Sequence, residues 1–280
     1  MLQRRAKPLL GTLVEISIAA PGEAAFLRAT ELAFADVAEV HRLMSFHEPG
    51  SDLRRLARAA AGAVLTVGAH TWQVLRLALE MEVRSAGVFN AAVAPTLVAN
   101  GLLPMPDAAQ TPIACSLAEG IELLGDNRLR VLSPVWVDLG GIAKGYAVDC
   151  AVLRLQASGI ASGLVNAGGD MRAFGSHSHP VRLRFAAGLK TIASLTDAAL
   201  AASCNAGNVD NADNANAAGS PHVDPRSRRA VRSPHSMVVQ APSAAVADAL
   251  TKVALLCPDA ADRMCPALRA QWRAFDYAQQ

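Results

Sequence analysis

The residues most able to do chemistry lie in Val137–Asp149, VDLGGIAKGYAVD: a strand-like run ends in two glycines, then Lys144-Gly145, then an amphipathic helical pattern. Glycine tolerates positive φ and lets a ligand come close to the backbone. A helix start offers unpaired N–H groups and the positive end of a dipole, which suit a phosphate. Lys144 adds a cation. The order is not that of a P-loop, where Ser or Thr follows the Lys, and the spacing is not that of a dinucleotide fingerprint. The same residues also suit a tight structural turn.

Four further segments carry chemistry-bearing types. Asn166-Ala167-Gly168-Gly169-Asp170 ends an apolar run in glycines beside a carboxylate, and also reads as a hairpin turn. In Met44–Leu53, Met44 and Phe46 offer faces that pack on a planar ring, or else simply enter the core. Asp248 and Lys252 are four apart on a helical pattern and share a face. An exposed pair of that kind contributes only a few tenths of a kcal/mol. His222-Val223-Asp224-Pro225-Arg226-Ser227 reads as a catalytic loop or a plain turn. His41, His70, His177, His179 and His235 show no metal-ligand spacing.

The elements that must position these residues are short strands and longer helices. Strand patterns cover Gly11–Ala19, Val64–Val67, Arg128–Leu132, Val135–Leu139, Gly163–Val165, Val181–Phe185, Thr191–Leu195 and Ser236–Gln240. Helical stripes run through Phe26, Ala29, Ala33, Val37, Val40 and Met44, through Val74–Ser85, through Val148, Val152 and Leu155, and through Val246, Ala249, Val253 and Leu256. Gly159 suits a C-cap and Ser243 an N-cap. The order lacks strict strand–helix alternation. It predicts an α+β fold with helices packed on mainly antiparallel sheets. Residues 1–280 form a single domain in this reading. Asn205–Ser220 is rich in Asn, Ala and Gly and is expected to be a flexible surface loop.

Composition excludes several classes. The chain has 280 residues, net charge +2, 52% hydrophobic and 4% aromatic residues. That is enough for one substantial core. Its basic residues form no stripe with interleaved aromatics, which argues against nucleic-acid binding. The five cysteines are odd in number with no CxxC, so buried free thiols are expected rather than a disulfide framework or a zinc site. No apolar run is long enough to span a bilayer. Leu13–Ile18 alternates like a strand and contains Glu15, unlike a secretory apolar core. A cytoplasmic location is expected from the sequence as it stands; a periplasmic one would need a leader that is missing here.

Taken in order, these segments resemble the ApbE family, the FAD:protein FMN transferases. Val137–Asp149 is close to the family pattern D-x-G-G-I-A-K-G-Y-x-x-D. Gly11-Thr12, Met44–Leu53, Gly87-Val88-Phe89-Asn90 with Val93-Ala94-Pro95, Asn166–Asp170 and Ser236–Leu250 resemble its other segments, in family order. The resemblance implies a T-fold-like architecture and transfer of FMN from FAD to a Thr or Ser hydroxyl of an acceptor flavoprotein, with release of AMP. It leaves an impaired FAD carrier and an FAD diphosphatase as rivals. It implies FAD contacts at Met44, Ser45, Phe46, Gly140, Gly141, Lys144, Asn166, Gly168, Gly169 and Asp170, and catalytic roles for Lys144 and His222. It also implies Mg²⁺ on the pyrophosphate, with the Ala143 carbonyl and the Asp248 carboxylate as two of its ligands, and Thr251, beside the family's Thr position, is taken as a further metal residue.

Departures from the pattern cluster in the metal half. Lys252 stands where the family has a Thr, and Thr251 is about 100° round an ideal helix from that place. A protonated Lys is no metal ligand, so Mg²⁺ dependence is expected to be weakened. Ala202-Ser203-Cys204 replaces Thr-Ser-Gly, His222 falls one place late after Pro221, and Arg228 replaces a usual Gly. No lipobox Cys appears near the start.

Overall fold

The computed structural model describes residues 2–108, 110–113, 115–185, 188–203, 222–231 and 233–276. The segment 205–220, Cys204 and Pro221 lie outside the described residues. The chain opens with strands β1 (Gln3–Leu9) and β2 (Thr12–Ile18), then helices α1 (Glu23–Met44) and α2 (Asp52–Arg58), strand β3 (Val64–Thr66) and helix α3 (Ala69–Arg84). Helices α4 (Ala94–Ala99) and α5 (Leu117–Gly120), strands β4 (Ile121–Leu123) and β5 (Arg128–Val131), and helix α6 (Ala143–Ala157) follow. Next come strands β6 (Gly163–Ala167), β7 (Asp170–Phe174), β8 (His179–Phe185), β9 (Gly188–Leu195) and β10 (Ala199–Ser203). The rest is β11 (Val223–Asp224), β12 (Arg229–Ala230), β13 (His235–Ala241), α7 (Ala244–Leu256), α8 (Pro258–Leu268) and β14 (Gln271–Asp276).

The scaffold is a seven-stranded sheet in the order β1-β2-β6-β7-β10-β13-β14, with antiparallel pairing throughout. This is the expected α+β class with mainly antiparallel sheets. A three-stranded sheet β3-β5-β4 and the hairpin β8–β9 lie apart from it. In β2, Val14, Ile16 and Ile18 are fully buried, while Glu15 on the opposite face pairs with Arg4 of β1. That is the alternation a half-covered strand requires. Sequence reading takes β2 as the first strand, but β1 precedes it and pairs with it from Gln3 to Leu9. The turn between them places Leu10 and Gly11 at φ of 56° and 70°, as a two-residue hairpin demands.

The buried stripe of α1 is the expected one, Phe26 to Met44. It packs on α6, which packs on α7, which lies over β10 and β13. α7 is covered on both sides, and its Ala-rich faces make that possible. Ala247, Ala249 and Ala254 are fully buried. Ser243 caps the helix by accepting the Val246 N–H at 3.4 Å. Gly159, at φ 80°, ends α6 as expected.

One expected strand is absent as a strand. Val135–Leu139 is buried through Val135, Trp136, Val137 and Leu139, yet it joins no described ladder. The Asp138 N–H instead donates to the Ala91 carbonyl at 2.8 Å. A short apolar run shows burial, not pairing. Among the described residues, no helix is long and apolar enough to cross a membrane.

Candidate functional site

The first turns of α6 and α7 cross at Gly145. A Cβ there would stand 2.1 Å from the Ala244 carbonyl oxygen, so only glycine permits this approach. The crossing lets each helix present a carboxylate to the start of the other. Asp149 of α6 accepts the N–H groups of Ala244 and Ala245, both at 2.9 Å, and the Arg172 guanidinium at 2.7 Å. Asp248 of α7 accepts the Gly145 N–H at 3.2 Å. Carboxylates at helix N-termini satisfy orphan donors and the helix dipole together.

Asp248 has no solvent exposure, so it is not the surface pair that spacing alone allows. Lys252 Nζ lies 2.5 Å from its Oδ1, and Lys144 Nζ lies 3.5 Å from its Oδ2. Lys144 Nζ also meets Asp170 Oδ2 at 2.7 Å. That oxygen has no aligned hydrogen bond, so the contact is electrostatic first. Burial alone would lower the Lys144 pKa, but the Asp248 and Asp170 carboxylates outweigh it and hold it above the ordinary lysine value. Burial alone would raise Asp248, but Lys144 and Lys252 outweigh it and hold the pKa below the ordinary range. Burial, then the nearby Asp248 charge, pushes Asp170 up. Burial also pushes Asp138 up, against the Gly140 N–H and the Lys144 charge.

Two cavities open on this cluster. The first, about 420 Å³, is lined by Phe89, Asn90, Asp170, His222 and Lys252, and by Gly141. The second, about 480 Å³, is mostly apolar and lined by Val40, His41, Met44, Ser45 and Phe46. Leu103, Asp138, Gly140 and Lys144 line both, so the two meet at Lys144. In the first, Asn90 is fixed by its amide, which donates to the Cys115 carbonyl at 3.1 Å and accepts the Ala92 N–H at 2.7 Å. In the second, His41 Nδ1 accepts the Leu10 N–H at 3.0 Å, tying the β1–β2 turn to α1. Phe46 is buried with the Arg54 guanidinium 5.5 Å above its ring centre, so one of its faces is already taken.

His222 Nε2 lies 3.0 Å from Ser203 Oγ at the end of β10. Burial first, then the charges of Lys252 and Lys144, lower its pKa to about 4. Its imidazole is neutral at pH 7.

The structure therefore gathers Met44, Ser45, Phe46, Gly140, Gly141, Ala143, Lys144, Gly168, Asp170 and His222 around one cleft. It leaves out four predicted residues, of which Asp248 is fully buried and lines neither cavity, paired with Lys144 and Lys252. Asn166 and Gly169 line neither cavity; Asn166 Oδ1 accepts the Gly169 N–H at 3.0 Å and shapes the β6–β7 hairpin, where Gly168 and Gly169 have φ of 62° and 104°. Thr251 is fully buried, its hydroxyl donating to the Asp248 carbonyl at 2.6 Å and accepting from Lys252 Nζ at 3.1 Å. Sequence reasoning misses Asp138, which lies at the junction of both cavities, and Asp149, which holds the start of α7. The only signal for Asp149 is its place as the final Asp of the glycine-turn motif, one helical turn after Gly145.

Residues 10–273 match the family model for the ApbE family. The chain belongs to the ApbE family. It is 28% identical over 279 residues to the FAD:protein FMN transferase of Rhodobacter capsulatus, covering 94% of this chain and 51% of the relative. It is 29% identical over 156 residues to that of Vibrio cholerae, covering 53% of this chain and 47% of the relative. The chain thus spans about half the length of the curated relatives it matches. Its fold is that of the flavin transferase ApbE from Vibrio cholerae, with a TM-score of 0.78 at 20% identity over 100% of this chain and 98% of that one. The ApbE protein from Thermotoga maritima gives a TM-score of 0.81 at 21% identity, over 100% and 97%.

The donors in this ApbE-family chain do not fit the Mg²⁺ that the resemblance implied. Mg²⁺ needs oxygen ligands in near-octahedral array. Both oxygens of Asp248 already face N–H donors, and the ammonium of Lys252 stands at contact on Oδ1. Among the described residues, no three His, Cys, Asp or Glu side chains are grouped to hold a metal ion. Two unit charges 4 Å apart repel by about 4 kcal/mol at an effective dielectric of 20, and a dication doubles that. A divalent ion would reach Asp248 Oδ1 only by displacing Lys252.

Proposed function

We propose that this chain transfers FMN from FAD to a Thr or Ser hydroxyl of an acceptor flavoprotein and releases AMP. The observation that carries the reading is the cleft itself: an apolar cavity and a charged cavity joined at Lys144. A dinucleotide has that layout, with two flat ends and an anionic pyrophosphate between them. In this reading the pyrophosphate lies at Lys144, with Gly140 and Gly141 allowing close approach and one flat end against Met44 and Ser45.

The acceptor hydroxyl oxygen forms a bond to the FMN phosphorus while the anhydride P–O bond to AMP breaks. AMP leaves with the bridging oxygen, and the hydroxyl proton passes to a base. His222 is the neutral imidazole in the charged cavity and is assigned that role. Lys144 offsets charge on the phosphate oxygens in the transition state, which positioned ammonium groups do well in a partly dry cleft. Holding the hydroxyl in line with the anhydride supplies the rest.

The test is to incubate the protein with FAD and an acceptor flavoprotein domain, then measure acceptor mass and free AMP. Acceptor carrying FMN, with equimolar AMP, is the expected result. Free FMN and AMP without acceptor modification would make it an FAD diphosphatase. Bound, intact FAD would make it a carrier.

A further inference from the structure

We propose that the ammonium of Lys252 takes the place of a divalent cation at the pyrophosphate, so that the dinucleotide binds without metal. The proposal rests on the flavin reading above and assigns the counter-cation of that same site. Its basis is the geometry on α7.

Lys252 follows Asp248 by one helical turn, and its side chain is 18% exposed, directed to the charged cavity. Its stem runs past the glycine turn: a Cβ on Gly141 would lie 3.6 Å from both Cγ and Cε of Lys252. The glycine turn and this lysine therefore form one wall. An ammonium has three N–H donors. On Lys252 one faces Asp248 Oδ1 at 2.5 Å and one faces Thr251 Oγ1 at 3.1 Å. The third remains for a ligand oxygen in the cavity. Lys144 is held by ion pairs instead, its Nζ 2.7 Å from Asp170 Oδ2 and 3.5 Å from Asp248 Oδ2. The cavity wall thus carries two anchored ammonium groups, joined through the buried Asp248. A dinucleotide pyrophosphate carries one negative charge on each phosphate. Each of the two anchored ammonium groups can meet one of those phosphates.

A mobile surface lysine would not do this, because ordering its long side chain costs entropy at each binding event. Here Asp248 and Thr251 have already ordered it. The buried carboxylate, which in isolation would repel a phosphate, is shielded from the cavity by the two lysines it holds.

The experiment measures FAD affinity by flavin fluorescence for wild type, Lys252→Thr and Lys252→Met, each in EDTA and in excess Mg²⁺, with circular dichroism to confirm folding. Mn²⁺ binding to the ligand-free proteins is followed in parallel by electron paramagnetic resonance. For wild type the affinities in EDTA and Mg²⁺ should agree within about twofold, and no stoichiometric Mn²⁺ should bind. Losing one charge-assisted contact should weaken binding in EDTA about tenfold or more in both variants. Mg²⁺ should restore Lys252→Thr, which gains a hydroxyl and frees Asp248, but not Lys252→Met. A wild-type affinity that rises about tenfold on adding Mg²⁺ would overturn the proposal without touching the flavin reading, and that measurement needs no variant. FAD that fails to bind wild type under either condition would overturn the flavin reading and this proposal with it.

Discussion

Asp149 and Asp248 are the same device used twice. Each sits in the second turn of one helix and accepts an N–H from the first turn of the other. They differ in the cation that answers them. Asp149 is closed off by a single arginine from β7, and neither residue lines a described cavity. Asp248 is answered by two lysines, both of which line the charged cavity. Arg172 spends its rigid fork away from either cavity, whereas the rotatable donors of Lys144 and Lys252 face the charged one. The comparison teaches that a buried carboxylate is a strut or part of a site according to where its cation points.

The largest expected effect breaks the strut. Asp149→Ala leaves two N–H groups at the start of α7 and the Arg172 charge without their partner, and should cost about 3 kcal/mol in urea unfolding. Gly145→Ala attacks the crossing that both carboxylates span. Its methyl meets backbone at 2.1 Å, which no rotamer relieves, and should cost about 2 kcal/mol while also weakening FAD binding. Lys144→Met tests the cavity side. FAD affinity should fall about 10- to 100-fold in a binding isotherm, with a smaller change in urea midpoint than Asp149→Ala. An equal stability loss and an unchanged affinity would erase the distinction between the two carboxylates.

The smallest effect concerns His222. Its folded pKa is lowered from 6.5 to about 4, so as pH falls below 6.5 the unfolded chain takes up the proton first. Stability is therefore lost progressively as pH falls from 6.5 to about 4, and none of this loss remains to be gained above 6.5. Urea unfolding at pH 7 and pH 5 should show a smaller loss in His222→Gln than in wild type. Equal losses would mean that His222 is not buried neutral.

Much of this was legible in the sequence because periodicity survives burial. The stripes of α1, α3, α6 and α7, the alternation of β2 and the apolar run of β13 all predict the observed elements. β10 was not legible, because Ala199–Ser203 reads ALAAS and alanine gives no contrast between faces. β1 was hidden by Arg4, Arg5, Lys7 and Pro8, residues that an edge strand tolerates and a central one does not. The cleft was legible as a set of residue types, Met44, Lys144, Asp170, His222 and Asp248. Which of them touch was not. A helical wheel puts Asp248 and Lys252 on one face, but only the packing of α6 on α7 shows that face to be buried at one end and open at the other. Residue type alone also did not show that Thr251 and Asn166 hydrogen-bond to nearby backbone.

The most direct test of the account is a crystal structure of the FAD complex grown in metal-free buffer with EDTA. The account predicts pyrophosphate oxygens within about 3 Å of Nζ of both Lys144 and Lys252, with the two flat ends of the dinucleotide in the cavities on either side of Lys144. FAD bound with its pyrophosphate away from these two lysines would contradict it.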